Sequence, residues 1–228
     1  MLTYTVIRET WLTRKPSPMG VVIAVGATLA LFFGSWIFWA DLGGAMDKMP
    51  VSHAEIFQGH EYYRLWTALF AHADLAHLFS NSILFFILGL SLSGYFGLGV
   101  FPAAAFVWGG LINLFSVWTY PPDVHLLGAS GVVFWMGGAW LTLSFLLDRT
   151  RTQGARLLRS AGVSLALFMP AETFDPAISY RTHLIGFLLG VAWAGSYFIR
   201  HKKMLRQAER SEIVVEDSGI ESTVIGWS

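Results

Sequence analysis

The sequence predicts an all-α membrane protein, a bundle of six spanning helices with both termini cytoplasmic. Three observations point there. Of 228 residues, 54% are hydrophobic and 13% charged, where a soluble globular chain carries ~25% charge. Mean hydropathy is +0.54, and one soluble core of this size cannot hide so much apolar surface. Apolar runs of spanning length recur along the chain, and its basic residues are gathered into three segments.

The runs justify the elements in order. Residues 19–40 follow Arg14 and Lys15 and end in Trp36, Phe38 and Trp39, an interfacial aromatic belt. A signal peptide is the competing reading, but its apolar core is shorter, ~7–15 residues. Further runs cover 75–93, 96–118 and 128–147. The fifth, 157–170, is short and is ended or kinked by Pro170. The sixth covers 183–199.

Charge orients the bundle. Arg8, Arg14 and Lys15 precede the first helix; Arg149, Arg151, Arg156 and Arg159 lie between the fourth and fifth; Arg200, Lys202, Lys203, Arg206 and Arg210 follow the sixth. Twelve of the 15 basic residues therefore fall on one side if the helices number six, and the positive-inside rule makes that side cytoplasmic. Residues 1–18 read as a cytoplasmic segment, 19–200 as the helical domain with a long external loop at 41–71, and 201–228 as a mobile cytoplasmic tail.

Composition removes other classes. The absence of Cys excludes a disulfide scaffold, a thiol enzyme and a thiolate metal site. A formal net charge of zero gives no basic field for nucleic acid.

Polar groups inside spans are costly and ask for a reason. His77 and Asn81, four apart, share a helix face, with His72 just before them. Gly128-Ala129-Ser130-Gly131 opens the fourth helix, and Thr182-His183 the sixth. Helices two, four and six run in the same direction, so His77, Ser130 and His183 fall at one depth near the external side. Gly186 and Gly190 form a GxxxG, a small-residue face that allows close helix contact. Contact between helices four and six would bring Ser130 within reach of His183, as a nucleophilic serine requires of its base. The N–H groups free at a helix start, with His77 and Asn81, could hold an oxyanion. Each piece alone has a plainer reading: Ser as a packing residue, His183 as a satisfied core histidine, GxxxG as a packing face. Their conjunction at one depth is what points to chemistry.

At these residues the sequence resembles the rhomboid family of intramembrane serine proteases. Tyr63-Arg64-Leu65-Trp66 and Leu69-Phe70-Ala71-His72 look like the family's loop into helix two. His72, His77 and Asn81, the GxSG at Gly128–Gly131, and His183 with Gly186 and Gly190 match its motifs over roughly residues 19–200. The resemblance implies a six-helix rhomboid-like bundle with Ser130 as nucleophile, His183 as general base and no carboxylate. It implies an oxyanion hole made of the Ser130 backbone N–H, His77 and Asn81. Gly128 and Gly131 would shape the start of helix four, and Arg64 and His72 would be structural. Phe134 stands where the family often has a Tyr that stacks on the catalytic His; Phe can stack but has no hydroxyl. Thr182 replaces a frequent Ala.

The implied partners are membrane-protein substrates and the lipid bilayer, with no metal, cofactor or nucleic acid. A polar cavity would admit water, walled in part by residues 119–127, and substrates would enter past helix five and the loop 174–181. The alternative within the family is a non-proteolytic protein that binds client transmembrane helices. A histidine-ligated haem or metal carrier using His72, His77 and His183 is the other class, though it leaves the GxSG unexplained.

Overall fold

The computed structural model describes residues 2–168, 179–216 and 223–227. Among the described residues the six longest helices are α1 (Met19–Trp39), α2 (Leu75–Phe96), α3 (Ala105–Thr119), α4 (Ser130–Leu147), α5 (Gln153–Phe168) and α6 (Tyr180–Arg206). Among the described residues five spans have the length and apolarity to cross a membrane: α1, α2, Gly99–Thr119, α4 and α6. The shortfall from six is α5. Its described residues, Gln153–Phe168, carry Arg156 and Arg159 in the first two turns, charges that a spanning window disfavours. Its expected end at Pro170 lies outside the described residues. The third run breaks where the sequence suggested continuity. Gly97, at φ +80, ends α2, and Phe101 is extended before α3 begins.

Packing makes α4 the central element: 61% of its span is buried, against 22% of that of α1. Trp135, Met136 and Leu143 of α4 join Leu78 and Leu92 of α2, Phe101 and Ile112 in a core where each is less than 2% exposed. Because lipid is as apolar as these side chains, close packing rather than water exclusion holds such helices together. α1 docks on α2 through facing glycines. A Cβ on Gly20 would lie 2.8 Å from the Gly94 Cα, and Ser17 N–H donates to the Gly94 carbonyl at 2.8 Å. The outer faces carry Val22, Leu29, Phe33 and Trp36 exposed, as a lipid-facing surface requires.

The loop 41–71 is a folded cap. It holds three short helical turns, Ala45–Lys48, His53–Phe57 and Arg64–Thr67. Ser52 and Glu55 form a capping box on the second. Arg64, 4% exposed, sits at its centre and donates to the Asp47 and Pro50 carbonyls and to Glu61, with Glu55 at 3.4 Å. Asn113 of α3 donates to the Leu65 carbonyl at 2.8 Å, and Val51 forms a two-way backbone bridge with Leu126.

At the other end of the helical bundle the structure adds a small sheet that the sequence did not predict. The N-terminal segment and the described part of the C-terminal tail, expected as separate segments and the tail as mobile, pair as strands. β1 (Leu2–Glu9), β2 (Arg210–Glu216) and β3 (Thr223–Trp227) form an antiparallel sheet in that order. Leu2 pairs with Glu216 and Glu9 with Arg210; Arg8 bonds Glu212 at 2.6 Å. The β-branched runs Thr5-Val6-Ile7 and Ile213-Val214-Val215 favour strands. Each is too short to announce itself, and their pairing depends on α1 and α6 starting and ending at the same bundle face.

Candidate active site

The start of α4 is fixed by its neighbours before any functional side chain is considered. Gly128 has φ +107, a conformation that favours glycine. Its N–H donates to the Ala68 carbonyl at 2.9 Å. A Cβ at this position would lie 2.8 Å from His77 Cε1, 2.9 Å from its Nε2 and 3.6 Å from Asn81 Nδ2. Backbone and two side chains thus meet where only hydrogen fits. His77 and Asn81 present one face of α2 to the turn leading into Ser130, as their spacing predicts. The first turn of α2 is set by Asp74, whose carboxylate accepts from His77 N–H at 2.8 Å.

His72 is wholly buried and supports this turn from below. Ala129 N–H donates to its Nε2 at 3.3 Å. Nδ1 therefore carries the proton and donates to Ser35 Oγ at 2.9 Å, which donates onward to the Phe70 carbonyl at 3.0 Å. The tautomer follows from this network. Burial, with the neighbouring His77 second, pushes the His72 pKa down to about 4, so the ring is neutral at pH 7 and free to accept. Trp39 adds a bond to the His72 carbonyl at 2.7 Å. Ser35 and Ala68 escaped the sequence reading, and Trp39 was read there only as part of the aromatic belt. A serine inside the first apolar span was the available signal for Ser35.

α6 lies against α4 at backbone distance. A Cβ on Gly186 would strike the Gly131 carbonyl oxygen, one on Gly190 the Trp135 carbonyl, and one on Gly138 the Phe187 carbonyl. Thr182 Cγ2 would be 2.9 Å from a Cβ on Gly131. The anticipated small-residue face is therefore a packing seam. It carries the half-buried Ser130 and His183 on adjacent turns of the two helices. The His183 ring stacks on Phe134, with centroids 4.1 Å apart and planes at 9°. Among the described residues no hydrogen bond joins the Ser130 hydroxyl to His183; Ser130 precedes Gly131 of the seam on α4, and His183 lies one turn before Gly186 on α6.

The rim is closed by polar bonds. Tyr120 and Ser179 hydroxyls bond at 2.7 Å, Ser179 and Thr182 at 2.7 Å, and Arg181 donates to the Thr119 carbonyl at 2.7 Å. Part of the expected wall at 119–127 is thereby tied to the start of α6. Residues 174–178 of the expected entry loop lie outside the described residues.

Asn81 Nδ2 is buried and has no hydrogen-bond partner among the described residues, an expensive state for a donor. The first N–H groups of α4, that of Ser130 included, lack intrahelical acceptors. A carbonyl oxygen above Gly128 would satisfy both, so the arrangement suits acyl chemistry at Ser130. Arg64 is not part of it; it knits the loop above.

The rhomboid-domain pattern matches residues 59–200. A protein of Bacillus subtilis (strain 168) named "Putative rhomboid protease YdcA" is 27% identical over 170 residues, covering 72% of this chain and 80% of its own. With more than half of its length matched, this chain belongs to the rhomboid family.

Proposed function

We propose that this chain is an intramembrane serine endopeptidase that cleaves other membrane proteins near the external end of their transmembrane segments. The observation that carries the proposal is the unpartnered Asn81 amide beside His77 and Gly128, two residues before Ser130. In this reading His183 takes the Ser130 proton and Ser130 Oγ attacks the scissile carbonyl. Asn81, His77 and the Ser130 backbone N–H receive the oxyanion. His183 returns the proton to the leaving amine, and water then releases the acyl group by the same steps. Phe134 holds the imidazole plane through the stack. Because a helical substrate has its amides already bonded, it must unwind locally, which favours small or helix-breaking residues near the cut. Substrates enter past α5. Both termini are cytoplasmic and the membrane is the bacterial inner one, a reading supported by the segregated arginines and lysines and by a bacterial relative.

The test is cleavage of a single-span substrate in proteoliposomes. Ser130→Ala and His183→Ala should each lose at least about a thousandfold in rate while keeping the wild-type unfolding midpoint. Covalent labelling by a serine-directed probe should vanish in Ser130→Ala. Wild-type cleavage by either variant would refute the dyad. A folded wild type that neither cleaves nor takes the probe would favour a helix-binding role.

A further inference from the structure

A cavity lies at the opposite end of α4 from Ser130. The 18 residues of α4 separate the two by about 27 Å. The cavity has a volume of about 320 Å³ and is walled by Arg151, Arg156, Arg159, Asp148, Trp140 and Tyr95. We propose that it binds the phosphate-bearing headgroup of an anionic phospholipid.

Charge is the first argument. Three guanidinium groups face one carboxylate. Asp148 Oδ2 is shared between Arg151 and Arg159 at 3.2 Å each. Arg156 has no carboxylate partner among the described residues. Its Nη1 donates to the Phe145 carbonyl at 2.9 Å, its guanidinium lies 5.2 Å from the Phe145 ring centroid, and its buried Nε is unpartnered. A buried guanidinium donor without an acceptor is costly, and a phosphate oxygen matches its geometry. Hydroxyls of Thr10 and Ser144 line the same space and can donate to further phosphate oxygens.

Position is the second. Tyr95 and Trp140, with ring centroids 5.8 Å apart, mark the depth at which aromatic residues sit between acyl chains and headgroups. Leu12, Leu141 and Val163 complete an apolar floor. Leu157 and Leu158, 63% and 76% exposed, lead outward along α5. A free anion would use the arginines and leave this apolar surface idle. A lipid uses both, and basic cavities between helices are known anionic-lipid sites on physical grounds.

The experiment titrates the purified full-length chain, in neutral detergent, with phosphatidylglycerol, phosphatidylcholine or inorganic phosphate. Bound lipid is counted by native mass spectrometry and the unfolding midpoint is followed. One phosphatidylglycerol should bind saturably and raise the midpoint, with phosphatidylcholine and phosphate far weaker. Arg159→Gln, whose side chain is 64% exposed and whose loss the fold can bear, should weaken binding about fivefold, as should Arg156→Gln. Asp148→Asn, which removes the competing carboxylate, should tighten it, a change that a purely structural role does not produce. Arg200→Gln, on exposed α6 surface, should leave it unchanged. Equal response to the two lipids, or arginine variants that bind as the wild type does, would overturn the site. Phosphate as effective as the lipid would overturn the lipid assignment.

Discussion

α4 meets its two following helices in opposite ways. Against α6 it is joined at backbone distance, glycine on carbonyl, along Gly131–Gly186, Trp135–Gly190 and Gly138–Phe187. Against α5 it keeps a cavity lined by arginines and hydroxyls, and glycines 154 and 162 of α5 have nothing within 4 Å of a would-be Cβ. The candidate chemistry sits on the first pair. Acyl transfer needs a nucleophile and base held to within a fraction of an ångström, and a seam where glycines sit on backbone carbonyls cannot slide without collision. The second pair offers room instead, as the proposed entry of substrates past α5 would need.

The sharpest way to break this contrast is to add one methyl group to each kind of glycine. Gly186→Ala drives a Cβ into the Gly131 carbonyl, which no rotamer relieves. It should cost about 2–3 kcal/mol in unfolding free energy and remove cleavage. Gly195→Ala, on the same helix with open space at its Cβ, should be neutral or stabilising by up to about 1 kcal/mol from helix propensity. Unfolding midpoints and cleavage rates of the two variants check this. Similar losses in both would mean that α6 is generally intolerant and that the seam is nothing special.

The contrast also explains what could be read from the sequence. The spans, the shared face of His77 and Asn81, and the close approach at Gly186 and Gly190 are local: composition, an i,i+4 spacing and small residues on one stripe. The support for the site is not local. His72 acts through Ser35 from α1 and Ala129 from the start of α4, contacts 37 and 57 positions away. No periodicity encodes such a meeting. The sheet was missed for the same reason, since Arg8 and Glu212 are 204 positions apart. The break at Gly97–Phe101 was hidden because an apolar run reads alike whether its backbone is helical or extended.

A middle-sized effect tests whether the turn before Ser130 depends on this long-range support. His72→Leu strands the Ala129 N–H in a buried site, a loss of about 1–3 kcal/mol, and should lower cleavage together with stability. pH gives the distinguishing readout. His72 is held neutral in the folded chain to about 4 but titrates near 6.5 when unfolded. The unfolded chain therefore takes up the proton first as pH falls. The stabilisation present above 6.5 is lost between 6.5 and 4, up to about 3 kcal/mol in all. The wild type should lose more stability over that window than His72→Leu. Parallel pH profiles would show that His72 is not the neutral acceptor its bonds require.

The smallest effect concerns the ring on the seam itself. Phe134 lies 4.1 Å from His183 in a near-parallel stack, and such contacts contribute about 0.5–1.5 kcal/mol. If the stack only fills space, Phe134→Leu should change stability and leave the rate per folded molecule alone. If it holds the imidazole plane for proton transfer, Phe134→Leu should slow kcat about twofold to tenfold at an unchanged midpoint, and Phe134→Tyr, which keeps the ring, should restore it. The tyrosine variant decides the point, because it preserves the stacking face and adds a hydroxyl. A rate near wild type in Phe134→Tyr together with a slowed Phe134→Leu assigns the effect to the ring. Equal rates in all three would leave the orientation of His183 to the α4–α6 seam alone.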